Sequence, residues 1–278
     1  MSDDSRAPAP ASDDIRGGHV LAADGTRIAY LEEGTGPAIL FVHGGLGQGL
    51  GWKQVCDQLA GQYRTIMMDR RAHGRSDWGG GPDLEREAAD VLTLVSALGP
   101  VAGVAGHSYG AAVALVAALR DRSATMPRLV MYEPPLAAGP RPWPAAPDVV
   151  GLLAAGQYEQ ALVGFLAASG GTSAAEVEMF RSSPVWPDLV ALAPTTEPSV
   201  RTVNNLRLES EPLGDLALPV LLLRGSETSD PALNAAADYL AERMPALQTA
   251  VLAGQTHHAL LTAPGLVANQ IREFISAP

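Results

Sequence analysis

Short, almost wholly apolar runs alternate with longer amphipathic segments along most of this chain. The apolar runs include AILFV, RTIMM, VAGVA, RLVMY and LPVLLL, and DLEREAADVLTLVSALG is typical of the amphipathic segments. Strands that are buried on both faces show continuous apolar runs, because helices cover both sides of a parallel sheet. The pattern therefore predicts an α/β fold with a mostly parallel sheet flanked by helices.

The beginning of the chain shows a different pattern. Residues 1–16 are rich in Asp, Ser, Ala and Pro and contain almost nothing to bury, so we expect a disordered tail. Two short alternating runs then surround Asp24-Gly25, a dipeptide that favours a tight hairpin turn. We expect this antiparallel strand pair to open the fold near His19.

The middle of the chain contains no convincing strand. Residues 135–214 form helix-like segments such as DVVGLLAAGQYEQALVGFLAAS, and strand character returns with LPVLLLRG and TAVLAG. The helical segment therefore interrupts one sheet instead of following it. We predict a core domain over 17–134 and 215–278, with residues 135–214 inserted as a helical cap.

Composition excludes several classes of partner and environment. The net charge is −11 and Lys53 is the only lysine, which disfavours nucleic-acid binding because phosphate contacts need clustered cations. Cys56 is the only cysteine, so no intrachain disulfide can form. No segment is typical of a secretion signal or a membrane span, and we expect a cytoplasmic protein that binds no membrane.

Candidate chemistry lies in the loops that follow the apolar runs. In open α/β sheets, ligands bind outside the carboxyl ends of the strands. One such loop reads Gly106-His107-Ser108-Tyr109-Gly110, between a predicted strand and an alanine-rich predicted helix. A Gly-x-Ser-x-Gly turn in this context lifts the serine hydroxyl clear of the sheet, so Ser108 is the candidate nucleophile.

Five features in a fixed order extend this motif over nearly the whole chain. They are His43-Gly44-Gly45, the segment from Asp69 to Asp77, the Ser108 turn, the helical insertion, and Gly254-Gln255-Thr256-His257. With these features the sequence resembles the α/β-hydrolase superfamily, in its serine-nucleophile branch with a cap. The resemblance implies an eight-stranded, mostly parallel sheet with a helical cap after the sixth strand. It also implies that the Asp69 segment is structural.

A serine hydroxyl needs a base, and histidine has a suitable pKa. The resemblance places this base on the loop after the last strand, where His257 fits the frame and His258 is the alternative. The same resemblance makes His43, His73 and His107 packing or loop-ordering residues.

The acid that orients the histidine departs from the usual pattern. Many members of the superfamily have an aspartate shortly after the seventh strand, where this chain has Thr228. Asp230 and Glu227 lie nearby and could substitute for it. Some branches carry the acid after the sixth strand, where Glu133 stands, and we favour Glu133 over the other two.

The developing oxyanion needs fixed backbone N–H donors. By resemblance these belong to Gly45, or Leu46, and to Tyr109, the residue after the nucleophile. Aromatic and long apolar residues of the cap are expected to pack its core or line the pocket: Trp143, Tyr158, Phe165, Met179, Phe180 and Trp186.

These residues predict a serine hydrolase without cofactor or metal, which cleaves an ester, thioester or lactone of a partly apolar small molecule. The same scaffold also supports cyclases, C–C bond lyases, acyltransferases and cofactor-free haloperoxidases, and a silent ligand receptor is a further alternative. Epoxide hydrolases and dehalogenases of this fold use an aspartate where this chain has Ser108. The sequence does not predict the oligomeric state.

Overall fold

A computed structural model describes residues 15–137, 147–168 and 172–277. Its centre is one eight-stranded sheet in the order β1-β2-β4-β3-β5-β6-β7-β8. The strands are β1 (Arg16–Leu21), β2 (Arg27–Glu33), β3 (Ala38–Val42), β4 (Arg64–Met68), β5 (Val101–His107), β6 (Leu129–Tyr132), β7 (Val220–Gly225) and β8 (Leu247–Leu252). Strands β3 to β8 run parallel to their neighbours, and β2 joins them antiparallel to β4. The predicted mostly parallel sheet is confirmed.

The first two strands form the predicted hairpin, but it begins earlier than expected. Strand β1 pairs antiparallel with β2 from Arg16 onward, three residues before His19. Gly18 lies opposite Tyr30, and a side chain on Gly18 would collide with the Tyr30 ring. The glycines hide the start of this strand in the sequence because they contribute no alternating pattern. The predicted tail falls almost wholly outside the described residues.

Helices cover both faces of the sheet. One layer contains α2 (Leu84–Leu98), α3 (Tyr109–Arg120) and α9 (Pro231–Arg243), and the other contains α1 (Lys53–Asp57), α10 (Ala259–Thr262) and α11 (Pro264–Ser276). Strand residues alternate between the two layers, so that Leu40 and Val42 face one while Ile39 and Phe41 face the other. No helix in these described ranges has the length and apolar character that crossing a membrane requires.

The described residues between β6 and β7, where the sequence predicts an insertion, form five further α-helices. They are α4 (Pro147–Ala154), α5 (Tyr158–Ala168), α6 (Ala174–Arg181), α7 (Trp186–Ala191) and α8 (Thr196–Asn205). Part of this helical insertion has a small core of its own, built around Leu162, Leu166 and Trp186. The carboxyl ends of β3 to β8 lie along one edge of the sheet, and the loops that leave this edge contain the candidate residues.

Candidate active site

Ser108 stands at a sharp turn between β5 and α3. Its backbone has φ 52° and ψ −128°, a conformation that side-chain-bearing residues rarely adopt and that is found where function requires it. The turn is so tight that a side chain on Gly106 would strike the Gly110 carbonyl, and one on Gly110 would strike the His43 and Val42 carbonyls. The two glycines therefore allow the strand and helix to pass closely while Ser108 projects from the edge of the sheet.

His257 and Glu133 form a hydrogen-bonded pair beside this turn. Nδ1 of His257 lies 2.7 Å from Oε2 of Glu133 and donates to it. Because Nδ1 donates this hydrogen bond, Nδ1 carries the ring proton of the neutral imidazole. Nε2 is therefore the nitrogen that can accept a further proton. Ser108 and His257 line the same cavity.

The Glu133 carboxylate is buried, and both of its oxygens accept hydrogen bonds. Its Oε1 accepts hydrogen bonds from the Gly225 N–H at 2.7 Å and from the Thr228 hydroxyl at 2.6 Å. Burial of Glu133 opposes its ionisation, but the hydrogen bonds and the charge of His257 outweigh burial and lower the pKa of Glu133. Thr228, at the position where many superfamily members have the acid, thus donates a hydrogen bond to Glu133.

The other sequence candidates lie apart from this pair. Glu227 is exposed and accepts a hydrogen bond from Ser226 at 3.0 Å. Asp230 is buried at the N-terminus of α9, where it caps the helix by accepting the Ala232 N–H at 2.8 Å. His258 lines the cavity, with Nε2 4.0 Å from Glu176 Oε1. Of the three acids, the structure brings Glu133 to a histidine.

Sequence reasoning treated His107 as a packing or loop-ordering residue and missed its contact with His257. The His107 Nε2 donates to the backbone carbonyl of His257 at 2.9 Å, and the two rings lie 4.6 Å apart between centroids. Burial and the nearby His257 lower the pKa of His107, so it stays neutral. The position of His107 directly before Ser108 is the sequence signal that could have suggested its contact with His257.

The His43-Gly44-Gly45 loop approaches Ser108 closely. A side chain on Gly44 would meet Ser108 Cβ at 3.0 Å, and Gly45 lines the cavity. His43 accepts the Arg70 N–H through Nε2 at 3.1 Å and donates from Nδ1 to the Gly44 carbonyl at 2.8 Å. Burial and neighbouring positive charge lower the pKa of His43, in agreement with this neutral tautomer.

Asp69 accepts backbone N–H groups from its own segment and from the stretch between β3 and α1. Asp69 is buried and accepts from the Gly49 N–H at 2.7 Å and from the Arg75 N–H at 3.0 Å. A side chain on Gly74 would strike the Asp69 carboxylate. These contacts agree with the structural role that the resemblance implied, and Asp69 is not among the residues described as lining the cavity.

A cavity of about 420 Å³ lies above the serine turn, between the sheet edge and the helical insertion. The insertion contributes Phe165, Leu166, Phe180, Val185 and Leu189 to its wall; the core contributes Leu46, Leu50, Trp52, Leu233, Leu260 and Leu261. Among the described lining residues none is Lys or Arg, and Asp230 is the one acid. The wall is therefore predominantly apolar, as is typical of small-molecule sites.

The five described residues that were expected to pack the cap core or line the pocket divide into three groups. Phe165 and Phe180 line the cavity, while Trp186 packs inside the insertion. Tyr158 and Met179 are exposed and lie outside the described wall, because they fall on the solvent side of their helices. Trp143 lies outside the described residues.

Comparison with known proteins identifies the family. The model of the alpha/beta hydrolase family matches residues 39–270. The chain belongs to this family. A solved alpha/beta hydrolase from Sphaerobacter thermophilus superposes with a TM-score of 0.79 at 29% identity, covering 93% of this chain and 100% of that chain. An esterase from Rhodococcus sp. ECU1013 gives 0.73 at 25% identity, covering 95% and 98%.

The first curated relatives match a shorter stretch of the chain. A non-heme haloperoxidase from Rhodococcus erythropolis is 42% identical over 95 residues, which is 33% of this chain and 34% of the relative. The first curated relatives are matched over about a third of their length. The fold and family therefore follow from the comparisons, whereas the reaction has to be argued from the site.

Proposed function

We propose that this alpha/beta hydrolase is a serine hydrolase that cleaves a carboxylic ester, thioester or lactone through an acyl-enzyme. The observation that carries the proposal is the set Ser108, His257 and Glu133. A strained turn presents the serine, a hydrogen bond of 2.7 Å orients the histidine, and serine and histidine line one apolar cavity. These are the nucleophile, base and orienting acid that acyl transfer requires.

In the proposed reaction, Ser108 Oγ attacks the substrate carbonyl carbon while its proton passes to Nε2 of His257. Glu133 stabilises the imidazolium through the Nδ1 hydrogen bond. The carbonyl oxygen becomes an oxyanion, and the backbone N–H groups of Gly45 and Tyr109 are the proposed donors to it. Collapse expels the alcohol or thiol with the proton from His257, and water then releases the acid by the same steps.

The cavity favours an uncharged substrate of small-molecule size. Its described wall offers no Lys or Arg to pair with an anionic substrate, and the chain has a net charge of −11. Apolar side chains from both the core and the insertion would bury an alkyl or aryl group. We therefore propose neutral esters, thioesters and lactones with an apolar acyl part as the substrate class.

A panel of neutral p-nitrophenyl esters, thioesters and lactones tests this proposal. We expect turnover of at least one class, and intact-protein mass spectrometry after rapid acid quenching should show a species heavier by one acyl group. Isosteric esters that end in a carboxylate should react more slowly. A folded protein that hydrolyses none of the panel and accumulates no acyl-enzyme would contradict the proposal.

Substitution of the candidate acids separates Glu133 from Glu227. We expect Glu133→Gln to lower kcat by roughly a hundredfold or more, because an amide provides no negative charge for the imidazolium and can misorient the ring. Glu227→Gln is the matched control, since it makes the same change on an exposed carboxylate after β7. Steady-state kinetics of both variants gives the comparison. Similar small losses in both would exclude Glu133 as the acid.

The lowered pKa of Glu133 also predicts how stability depends on pH. A carboxyl group whose pKa is lower in the folded than in the unfolded protein stabilises the fold above its ordinary pKa of about 4.3 and loses this contribution as pH falls through the folded value. We expect the difference in free energy of unfolding between the protein and Glu133→Gln to shrink with acidification below that point. Urea titrations across the acid range measure it, and a difference independent of pH would contradict an ionised Glu133 in the folded protein.

A second reaction of the same acyl-enzyme is suggested by the similarity to the Rhodococcus erythropolis haloperoxidase. Hydrogen peroxide in place of water would attack the acyl carbon, release Ser108 and give a peracid. Formation of peracid from a carboxylic ester and hydrogen peroxide, lost in Ser108→Ala, would support this reaction. Its absence in a preparation that hydrolyses the ester would restrict the protein to hydrolysis.

A further inference from the structure

Glu87, on the buried face of α2, accepts hydrogen bonds from three directions. Oε1 accepts from Arg70 Nη1 at 2.5 Å, while Oε2 accepts from the Tyr109 hydroxyl at 2.6 Å and from the Asp83 N–H at 3.1 Å. The Glu87 and Arg70 side chains are 0% exposed. Because all three partners donate, the carboxylate acts only as an acceptor, which is the hydrogen-bonding pattern of the ionised form.

Arg70 extends this network to the His43-Gly44 loop. Its Nε donates to the His43 carbonyl at 2.9 Å and its Nη2 to the Gly44 carbonyl at 3.0 Å. The guanidinium also lies over the Tyr109 ring, 4.5 Å from the centroid. The planar guanidinium thus fixes two successive carbonyls and one aromatic ring at once, which a point charge such as a lysine could not do.

Gly45 directly follows these two carbonyls, and Tyr109 is the first residue of α3. These residues contain the two backbone N–H groups proposed as oxyanion donors, and they come from loops after different strands. The ion pair between Glu87 and Arg70 contacts both donor segments. Arg70 binds the loop before Gly45, and Glu87 binds the Tyr109 side chain.

We propose that Glu87 is a positioning residue, which through Arg70 and the Tyr109 hydroxyl sets the relative placement of the two oxyanion donors. The inference rests on the proposed function. Placement matters because preorganised donors stabilise the transition state only at hydrogen-bond distance from the developing oxyanion. Glu87 is not among the described lining residues of the cavity, so its effect on binding of an apolar group is expected to be small.

The adjacent ion pair provides an internal comparison. Arg71 pairs with Asp90, which lies three residues after Glu87 on α2, at 2.8 Å, and both side chains are 1% exposed. Arg71 binds the Asp24 carboxylate and the Gly79 carbonyl instead of the loop before Gly45. The two buried pairs are thus similar in chemistry, but one of them contacts the two proposed donor segments. Asp90→Asn is therefore a matched control for Glu87→Gln.

The test measures the reaction of Ser108 with a fluorophosphonate, whose phosphoryl oxygen gains negative charge during attack. The reversible constant KI and the rate constant kinact are determined separately for the wild type, Glu87→Gln, Tyr109→Phe and Asp90→Asn. We expect Glu87→Gln to lower kinact by about ten- to a hundredfold, the scale that a misplaced catalytic group costs, with KI little changed. Tyr109→Phe, which removes one hydroxyl and keeps the backbone N–H, should lower kinact by less. Asp90→Asn should keep the wild-type kinact.

Circular dichroism at the assay temperature shows whether each variant is folded. If Glu87→Gln does not fold, Tyr109→Phe decides the test, because it leaves the ion pair intact. A wild-type kinact in every folded variant of the Glu87 network would overturn the inference. An equal loss in Asp90→Asn would also overturn it, because any buried pair of α2 would then have the same effect. If the fluorophosphonate does not label the wild type, the proposed function is wrong, and the inference that rests on it is wrong as well.

Discussion

Ser108→Ala is expected to lower kcat for ester hydrolysis by roughly 10⁴-fold or more, because the acyl-enzyme can no longer form. The residual rate would come from the oxyanion donors and the cavity alone. Alanine faces the same backbone conformation as serine at φ 52°, so the turn and the fold should persist. Steady-state kinetics on the best ester of the panel measures the loss.

Ser229→Ala is the matched control for this substitution. Ser229 is exposed on the loop after β7 and is not among the described residues that line the cavity. It should keep the wild-type rate and the wild-type melting temperature. Turnover retained in Ser108→Ala, in a preparation free of other esterases, would exclude the serine mechanism.

His257→Ala is expected to cost nearly as much, on the order of 10⁴-fold in kcat, because the serine would have no base for its proton. The variant also leaves the buried Glu133 without its histidine partner, so a loss of stability of about 1–3 kcal/mol should accompany the loss of activity. Kinetics and urea unfolding on the same preparation separate the two effects.

His258→Ala is the comparison for this variant. His258 lies at the cavity wall beside Phe180 and is not the histidine that binds Glu133, so its loss should lower kcat much less than that of His257. A larger loss in His258→Ala than in His257→Ala would mean that the base had been assigned to the wrong histidine.

The sheet was predictable because its central strands, β3 to β7, are buried on both faces. Runs such as AILFV and RTIMM have no polar face, and this excludes most architectures other than a parallel sheet covered by helices. The strand that begins at Arg16 was less visible, because Gly17 and Gly18 follow its first residue and Gly18 packs against the Tyr30 ring. A hydrophobic pattern cannot indicate a strand whose packing requires the absence of side chains.

Local motifs indicated the candidate nucleophile and the candidate histidine, whereas Glu133 was favoured as the candidate acid only through the resemblance. Glu133, Glu227 and Asp230 follow two strands that are neighbours in the sheet, so spacing along the chain could not rank them. What distinguishes Glu133 is its set of partners, which come from the loops after β7 and β8. Such contacts between loops depend on side-chain direction at strand ends, which sequence pattern does not encode.

The Glu87 network escaped sequence analysis for a related reason. Glu87 fits an amphipathic helix as one of several charged residues, and a charge on a helix is usually solvated. Only the position of α2 against α3 shows that this carboxylate is buried against Tyr109. Tertiary packing thus makes Glu87 a candidate positioning residue and leaves nearby Glu85 at the surface with Arg120.

Covalent labelling tests the proposal that Ser108 is an activated nucleophile. Pure protein treated with a fluorophosphonate would be digested and its peptides mapped by mass spectrometry, with Ser108→Ala treated in parallel. We expect one adduct on Ser108 and none in the variant. A folded protein that acquires no adduct, or acquires it on another residue, would contradict the claim.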